Sequence, residues 1–212
     1  MCIDFTQPAD VVAPQLLGRV LCHGGVAIRL TEVEAYLGAE DPASHAFRGP
    51  TRRNAAMFGP GGHMYIYISY GIHRAGNIVC GPEGVGQGCL LRAGEVLRGA
   101  SLAAQRRNLP GPDPRLARGP GNVGSALGFR VEDNHAPIRQ QPILLDDAHP
   151  AHFHLLAPAD LGFEGLADEE WVAGPRIGIS KNQDAPLRFW IPGHPTVSAR
   201  RGRPRGVSSA GG

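Results

Sequence analysis

Lysine is almost missing from this chain of 212 residues: of 21 Lys and Arg side chains, only Lys181 is a lysine. Chemistry that runs through an amine, such as Schiff-base formation, has one side chain to draw on besides the N-terminus. Cysteine is scarce as well. Cys2, Cys22, Cys80 and Cys89 form no Cys-x-x-Cys pair, which argues against zinc and iron–sulfur frameworks and against a disulfide scaffold. All four are expected to be reduced and buried. No apolar run approaches the roughly 20 residues of a membrane span, and the opening MCIDFTQPAD lacks the basic segment that begins a secretory signal. The expected setting is the cytoplasm, at the nucleoid if the source is bacterial, with no membrane partner. Hydrophobic residues at 42% and charged ones at 19% fit a folded domain rather than a disordered chain. The 30 glycines and 19 prolines imply many turns around its core.

A net charge of +2 conceals a polarised chain. Residues 92–130 hold seven arginines against Glu95 and Asp113, whereas 131–170 hold Arg139 against nine acids. After Ser198 come Arg200, Arg201, Arg203 and Arg205 with no acid. Such a chain can turn a basic surface toward a polyanion and an acidic one away from it.

Local pattern predicts a short helix over 9–17 closed by Gly18, then strands over 19–22 and 26–36 joined at His23-Gly24-Gly25. Thr51 is positioned to cap a helix over 52–58, and an alternating strand follows over 63–69. Tyr70-Gly71 opens a turn, with further strands over 77–80 and 89–93. The longest helical stretch is read over 95–107. A loop enters a short helix within 116–129, and broken strands fall near 142–145 and 153–157. Closing strands are read over 177–179 and 187–191. The expectation is one α+β domain over 1–198 and a flexible Arg-rich tail over 199–212.

Alternation in VAIRLTEVEAY places Val26, Ile28 and Leu30 on one face with Glu32, Glu34 and Tyr36. Two carboxylates about 7 Å apart on one strand face can serve general-base chemistry when apolar neighbours raise a pKa. The same pattern also fits two ordinary glutamates at a solvent-facing strand end. All four tyrosines, Tyr36, Tyr65, Tyr67 and Tyr70, fall within 35 residues. In HMYIYISYG, Tyr65 and Tyr67 share a face. Such rings pack across strands or stack on a base, and a tyrosine at an exposed turn suits a wedge that unstacks a duplex.

TEVEAYLGAEDPASHAF, TRRNAAMFGPGGHMYIYISYG, Asn77-Ile78-Val79, LLRAGE, GPGNVGSALG, RIGIS and PLRFWI follow one another as in the alkyladenine (3-methyladenine) DNA glycosylases. The chain resembles a compact bacterial-type member over 12–130 and 172–198. The resemblance implies a mixed, mainly antiparallel curved β-sheet flanked by short helices, with a protruding β-hairpin. It also implies a monofunctional enzyme, acting as a monomer without cofactor or metal. Such an enzyme flips a damaged purine nucleotide out of double-stranded DNA and hydrolyses its N-glycosidic bond. By the same resemblance Glu34 activates water, held also by Arg92 and the Ile177 backbone carbonyl. Tyr36, His45 and Tyr67 enclose the flipped base, Asn77 excludes guanine's exocyclic amine, and Tyr70 fills the vacated stack. Candidate phosphate contacts are Arg52, Arg53, Gly121 and Asn122.

Chemistry supports those roles. An N3- or N7-alkylated purine is cationic, a good leaving group, and is attracted by electron-rich rings at ~0.5–2 kcal/mol per contact. One water-activating carboxylate then suffices, and it can also stabilise an oxocarbenium-like sugar. Two other classes stay open: a lesion-binding protein without catalysis, and a glycosidase of free nucleosides. GPGNVG departs from the family's usual GPGKL at Asn122 and Val123, and RAGEV departs from RALEP at Gly94 and Val96. His149, His152 and His154 are spaced like a metal cluster, yet their acidic, irregular segment suggests no site. Arg201-Gly202-Arg203-Pro204-Arg205 has the composition of a minor-groove segment, in which glycine permits close approach and proline keeps the chain extended.

Overall fold

The computed structural model describes residues 2–69, 71–141, 151–163 and 170–198. Tyr70, the strand read near 142–145, His149 and the tail over 199–212 lie outside the described residues. Helix α1, Ala9–Leu16, buries Ala9, Val12, Ala13 and Leu16, the i, i+3, i+4, i+7 face of an amphipathic helix. Gly18, at φ 78°, ends this segment and sends its N–H to the Leu30 carbonyl at 2.8 Å.

Strand β1, Val20–His23, meets β2, Val26–Tyr36, across Gly24-Gly25. Both glycines have positive φ, as a two-residue hairpin turn requires. The hairpin of β3, Met64–Ser69, and β4, His73–Cys80, leads through an 81–86 turn to β5, Gln87–Arg98. The described strands form one mixed sheet in the order β3-β4-β5-β2-β1-β8-β7, where β7 is Ile138–Arg139 and β8 is Phe153–Leu156. Among the described strands only the β7–β8 pair is parallel. Beyond the end of β1, β10, Arg188–Trp190, takes over that edge of β2 and carries β9, Val172–Gly174. Short β6, Ala117–Arg118, pairs with β5. The hairpin tip stands clear of the core, with Ile72 74% exposed and Ile68 43%. The architecture is α+β in one domain, with three α-helices among the described residues.

Several expectations shift. The strand alternation of β2 breaks at bulges on either side of Glu32. Ile28 and Leu30 pack in the same core cluster as Val33 and Ala35, so the apolar face moves from even to odd positions. Glu32 and Glu34 therefore lie on the other face from Leu30. The stretch read as helix over 95–107 remains strand to Arg98, because Glu95 and Val96 pair with Arg29 and Ile28. Gly99, at φ 77°, then turns the chain into helix α2, Ala100–Arg106. Tertiary pairing overrides local helix propensity here. The 52–58 helix shrinks to a 3-10 turn, Ala55–Phe58, after Asn54. Residues 177–179 form a loop instead of a strand, with Gly178 at φ 79°. Cys22, Cys80 and Cys89 are buried as expected, but Cys2 is exposed; all four are free thiols.

Helix α3, Pro120–Leu127, lies against β4. A Cβ on Gly124 would overlap the Arg74 carbonyl oxygen, so glycine permits helix and hairpin to touch backbone to backbone. This contact fixes one wall of the cavity described next.

Candidate active site

The bulge in β2 aims Glu32 and Glu34 at one arginine. Arg92, on the neighbouring strand β5, places Nε 3.1 Å from Glu32 Oε1 and Nη1 3.3 Å from Glu34 Oε1. Glu32 is otherwise committed to the framework. Its Oε1 accepts from Arg188 Nε at 2.6 Å and its Oε2 from the Ser198 N–H at 2.7 Å. Glu34 is wholly buried and accepts from the Ile177 N–H at 2.7 Å and the Tyr36 hydroxyl at 2.9 Å. Burial pushes its carboxyl pKa up, against the opposing pull of Arg92 and the two hydrogen bonds. Burial also works against the Arg92 guanidinium, but the charges of Glu34 and Glu32 outweigh it and keep Arg92 protonated.

Above this cluster opens a cavity of about 720 Å³ lined by Tyr36, Arg92 and Ile177, the three groups around Glu34. That volume suits a small-molecule or nucleotide-sized ligand. His45, Tyr65, Tyr67 and Asn77 also line it, so the structure brings the expected base-enclosing residues together. His45 stands edge-on to Tyr67, with centroids 4.5 Å apart, and its Nδ1 lies 3.1 Å from the Tyr65 hydroxyl. Desolvation, aided by the charge of Arg53, lowers the His45 pKa, so its ring is neutral at neutral pH. Burial raises the phenol of Tyr65 to about 12 and that of Tyr36 well above its ordinary value. The aromatic wall is therefore uncharged and rich in π density. Asn77 is buried and donates its side-chain N–H to the Tyr65 carbonyl at 3.3 Å.

The wall over 176–182 hangs from Asp41. The carboxylate of Asp41 accepts from both terminal nitrogens of Arg176, one of them at 2.8 Å, and from Asn182 Nδ2 at 3.3 Å. Arg176 also donates to the Ala35 carbonyl at 3.0 Å and lies over the Tyr36 ring, 4.6 Å from its centroid. One carboxylate thus holds both flanks of the loop that offers Ile177 to Glu34.

The other sequence-derived candidates divide between the cavity and the rest of the molecule. Arg53 donates to the Ile68 carbonyl at 3.1 Å, bracing the hairpin, and Arg52 is exposed; neither lines the cavity. Gly121 and Asn122 do line it. Asn122 Nδ2, however, donates to the Arg118 carbonyl at 2.6 Å, which removes its near proton from any anion. Gly121 packs under the His73 ring. His152 and His154 set their rings 6.3 Å apart, and no three His, Cys, Asp or Glu side chains gather as a metal site among the described residues.

Sequence reasoning missed Asp41, Arg176, Arg188, Tyr65 as a cavity residue and Lys181. For Tyr65 the signal was present in its shared face with Tyr67. Arg188 opposes Glu34 only through the β10–β2 register, which spans more than 150 residues of chain.

The sequence model of the methylpurine-DNA glycosylase family matches residues 3–195. The chain belongs to the methylpurine-DNA glycosylase family. That match also covers 131–170, where the motif resemblance lapsed. A Corynebacterium efficiens protein named "Putative 3-methyladenine DNA glycosylase" is 64% identical, across 97% of this chain and 98% of its own length. Proteins of the same name from Corynebacterium glutamicum strain R and Cutibacterium acnes are 62% and 50% identical. They cover 97% and 94% of this chain, and 90% and 99% of their own lengths. Membership makes this glycosylase a DNA-binding hydrolase of base-excision repair. No helix among the described residues is long and apolar enough to cross a membrane.

Proposed function

We propose that this glycosylase excises 3-methyladenine and related damaged purines by flipping the nucleotide into the aromatic cavity. A water activated by Glu34 then hydrolyses the N-glycosidic bond. The observation that carries the reading is the grip on Glu34: a fully buried carboxylate held by Tyr36, Ile177 and Arg92, all three of which line the cavity. The two contacts of Arg92 Nη1 are the loosest of the cluster, 3.3 Å to Glu34 Oε1 and 3.5 Å to the Ile177 carbonyl. Charge-assisted bonds normally close to 2.7–2.9 Å. A water bridging these three groups would be oriented by the carbonyl and the guanidinium and deprotonated by the carboxylate.

The uncharged, electron-rich wall favours a cationic base, and a neutral His45 avoids repelling it. Asn77, braced on the Tyr65 carbonyl, presents a buried polar edge where a 2-amino group would have to fit. Glu34 can remain charged as the sugar gains oxocarbenium character, so one carboxylate both activates water and stabilises the transition state. No amine enters this scheme, so the product is an intact abasic strand.

The test is chromatography of the base released from defined duplexes containing 3-methyladenine, 7-methylguanine, hypoxanthine or ethenoadenine, with free nucleosides in parallel. Release from duplex alone, leaving unbroken abasic DNA, supports the reading. Hydrolysis of free nucleosides at equal efficiency would make the chain a nucleoside glycosidase. Tight binding to lesions without any release would make it a non-catalytic reader.

A further inference from the structure

Among the described residues that line the cavity there is no acidic side chain, but there are three cations: Arg92, Arg118 and Lys181. Arg92 is neutralised by Glu32 and Glu34. The other two are unspent. The Arg118 guanidinium has no hydrogen bond or ion pair among the described residues. The Lys181 ammonium meets only the face of exposed Phe47, 5.9 Å from the ring centroid.

Both cations stand on braced backbone. Arg118 pairs with Ala93, the residue after Arg92, and its carbonyl is tied to the Asn122 side chain at 2.6 Å. Lys181 projects from the loop whose two flanks Asp41 holds through Arg176 and Asn182. Braced backbone removes one part of the entropy lost on binding, leaving only the side-chain rotamers to be ordered, and an arginine without an internal partner is available to an anion. A nucleotide turned into this cavity carries its base and sugar inward and leaves its two phosphates at the rim.

We infer that Arg118 and Lys181 form a two-point clamp on the phosphates that flank the flipped nucleotide. The inference rests on the flipped-nucleotide reading above. It moves the phosphate contact from Asn122 to Arg118, four residues earlier. It also gives the single lysine of the chain a role in holding DNA rather than in covalent chemistry.

The test is the salt dependence of binding to a duplex carrying an uncleavable abasic analogue, between 50 and 200 mM salt. Each neutralised phosphate contributes a log–log slope of about 0.9, so each lost contact should spare about 3.5-fold of affinity over that range. Arg118→Gln and Lys181→Gln should each flatten the slope by about that amount, and the double variant by about twice as much. Arg118→Lys and Lys181→Arg should restore it. Arg115→Gln, which removes a charge already paired with Asp113 outside the cavity lining, is the control. Replacing the two flanking phosphates with neutral methylphosphonates should abolish the difference between wild type and the variants. Slopes that superimpose on wild type or merely match Arg115→Gln overturn the clamp, as does a deficit that survives methylphosphonate substitution. Because the probe cannot be cleaved, the clamp can fail while excision persists. Equally, excision can fail while these slopes hold.

Discussion

Two glutamates two residues apart show how environment assigns different roles to the same side chain. Both were legible as a pair in TEVEAY; which face they occupied was not, because the bulges around Glu32 depend on pairing with β5. Glu32 is saturated by Arg92, Arg188 and the Ser198 N–H. Glu34 sits behind Tyr36, Arg92 and Ile177, the residues that line the cavity, and has its carboxyl pKa raised by burial. The proposed mechanism uses Glu34 as the carboxylate, so the single-turnover rate should rise with pH through an acid limb above the ordinary glutamate value of 4.5. Stability should respond with the opposite sign. Where the folded pKa exceeds the unfolded one, the folded state binds the extra proton, so Glu34 weakens folding as pH climbs through that window. Urea titrations of wild type and Glu34→Gln across the window check this: wild type should lose stability relative to the variant as pH rises. Asn77 offers a separate test. Asn77→Ser shortens the buried side chain and should raise release of normal guanine relative to hypoxanthine in matched duplexes. An unchanged ratio would remove the steric role.

At the scale of elements, most strands could be read from alternation and turn residues, while the framework that holds the site could not. Asp41 shows why. Its partners Arg176 and Asn182 lie more than 130 residues away, and no local pattern links them. Burial alone would raise its carboxyl pKa, yet the hydrogen bonds and charge of Arg176 hold it below the ordinary value. The stability this pair provides is complete above the unfolded carboxyl pKa and is lost as pH falls through the depressed folded value. Asp41→Asn leaves a buried guanidinium without its counter-charge and should cost roughly 3–5 kcal/mol at neutral pH, measured by denaturant unfolding. It should also slow excision, because the loop that presents Ile177 to Glu34 loses its anchor. The strand read as helix beyond Gly94 is the converse case: Leu, Arg and Ala favour a helix locally, and the open edge of β2 pulls the segment into the sheet.

The whole molecule divides its charge. The +5 of residues 92–130 includes Arg92 and Arg118 at the cavity, whereas the acid-rich stretch of 131–170 supplies no residue to the cavity lining among those described. That polarity was visible in the sequence; which arginines are free to face DNA was not, since Arg92, Arg106, Arg107, Arg115 and Arg130 are all paired with carbonyls or carboxylates of the chain itself. The four arginines after Ser198 belong to the same account. Ser198 itself is held by Glu32 and Arg188, so cutting after Ala199 spares the site. Removing 200–212 should weaken nonspecific duplex binding and lower its log–log salt slope by up to ~3–4, measured by fluorescence anisotropy across a salt series. Identical salt curves would leave the tail without a part in DNA binding.

The proposed mechanism assigns to the buried carboxylate of Glu34 the activation of the water that breaks the glycosidic bond. Single-turnover excision from a 3-methyladenine duplex by Glu34→Gln, set beside its affinity for an uncleavable abasic duplex, tests this most directly. The expected result is a rate loss on the order of 10²-fold or more, as when a general base is removed, with affinity within a few-fold of wild type. Excision near the wild-type rate by Glu34→Gln would contradict it.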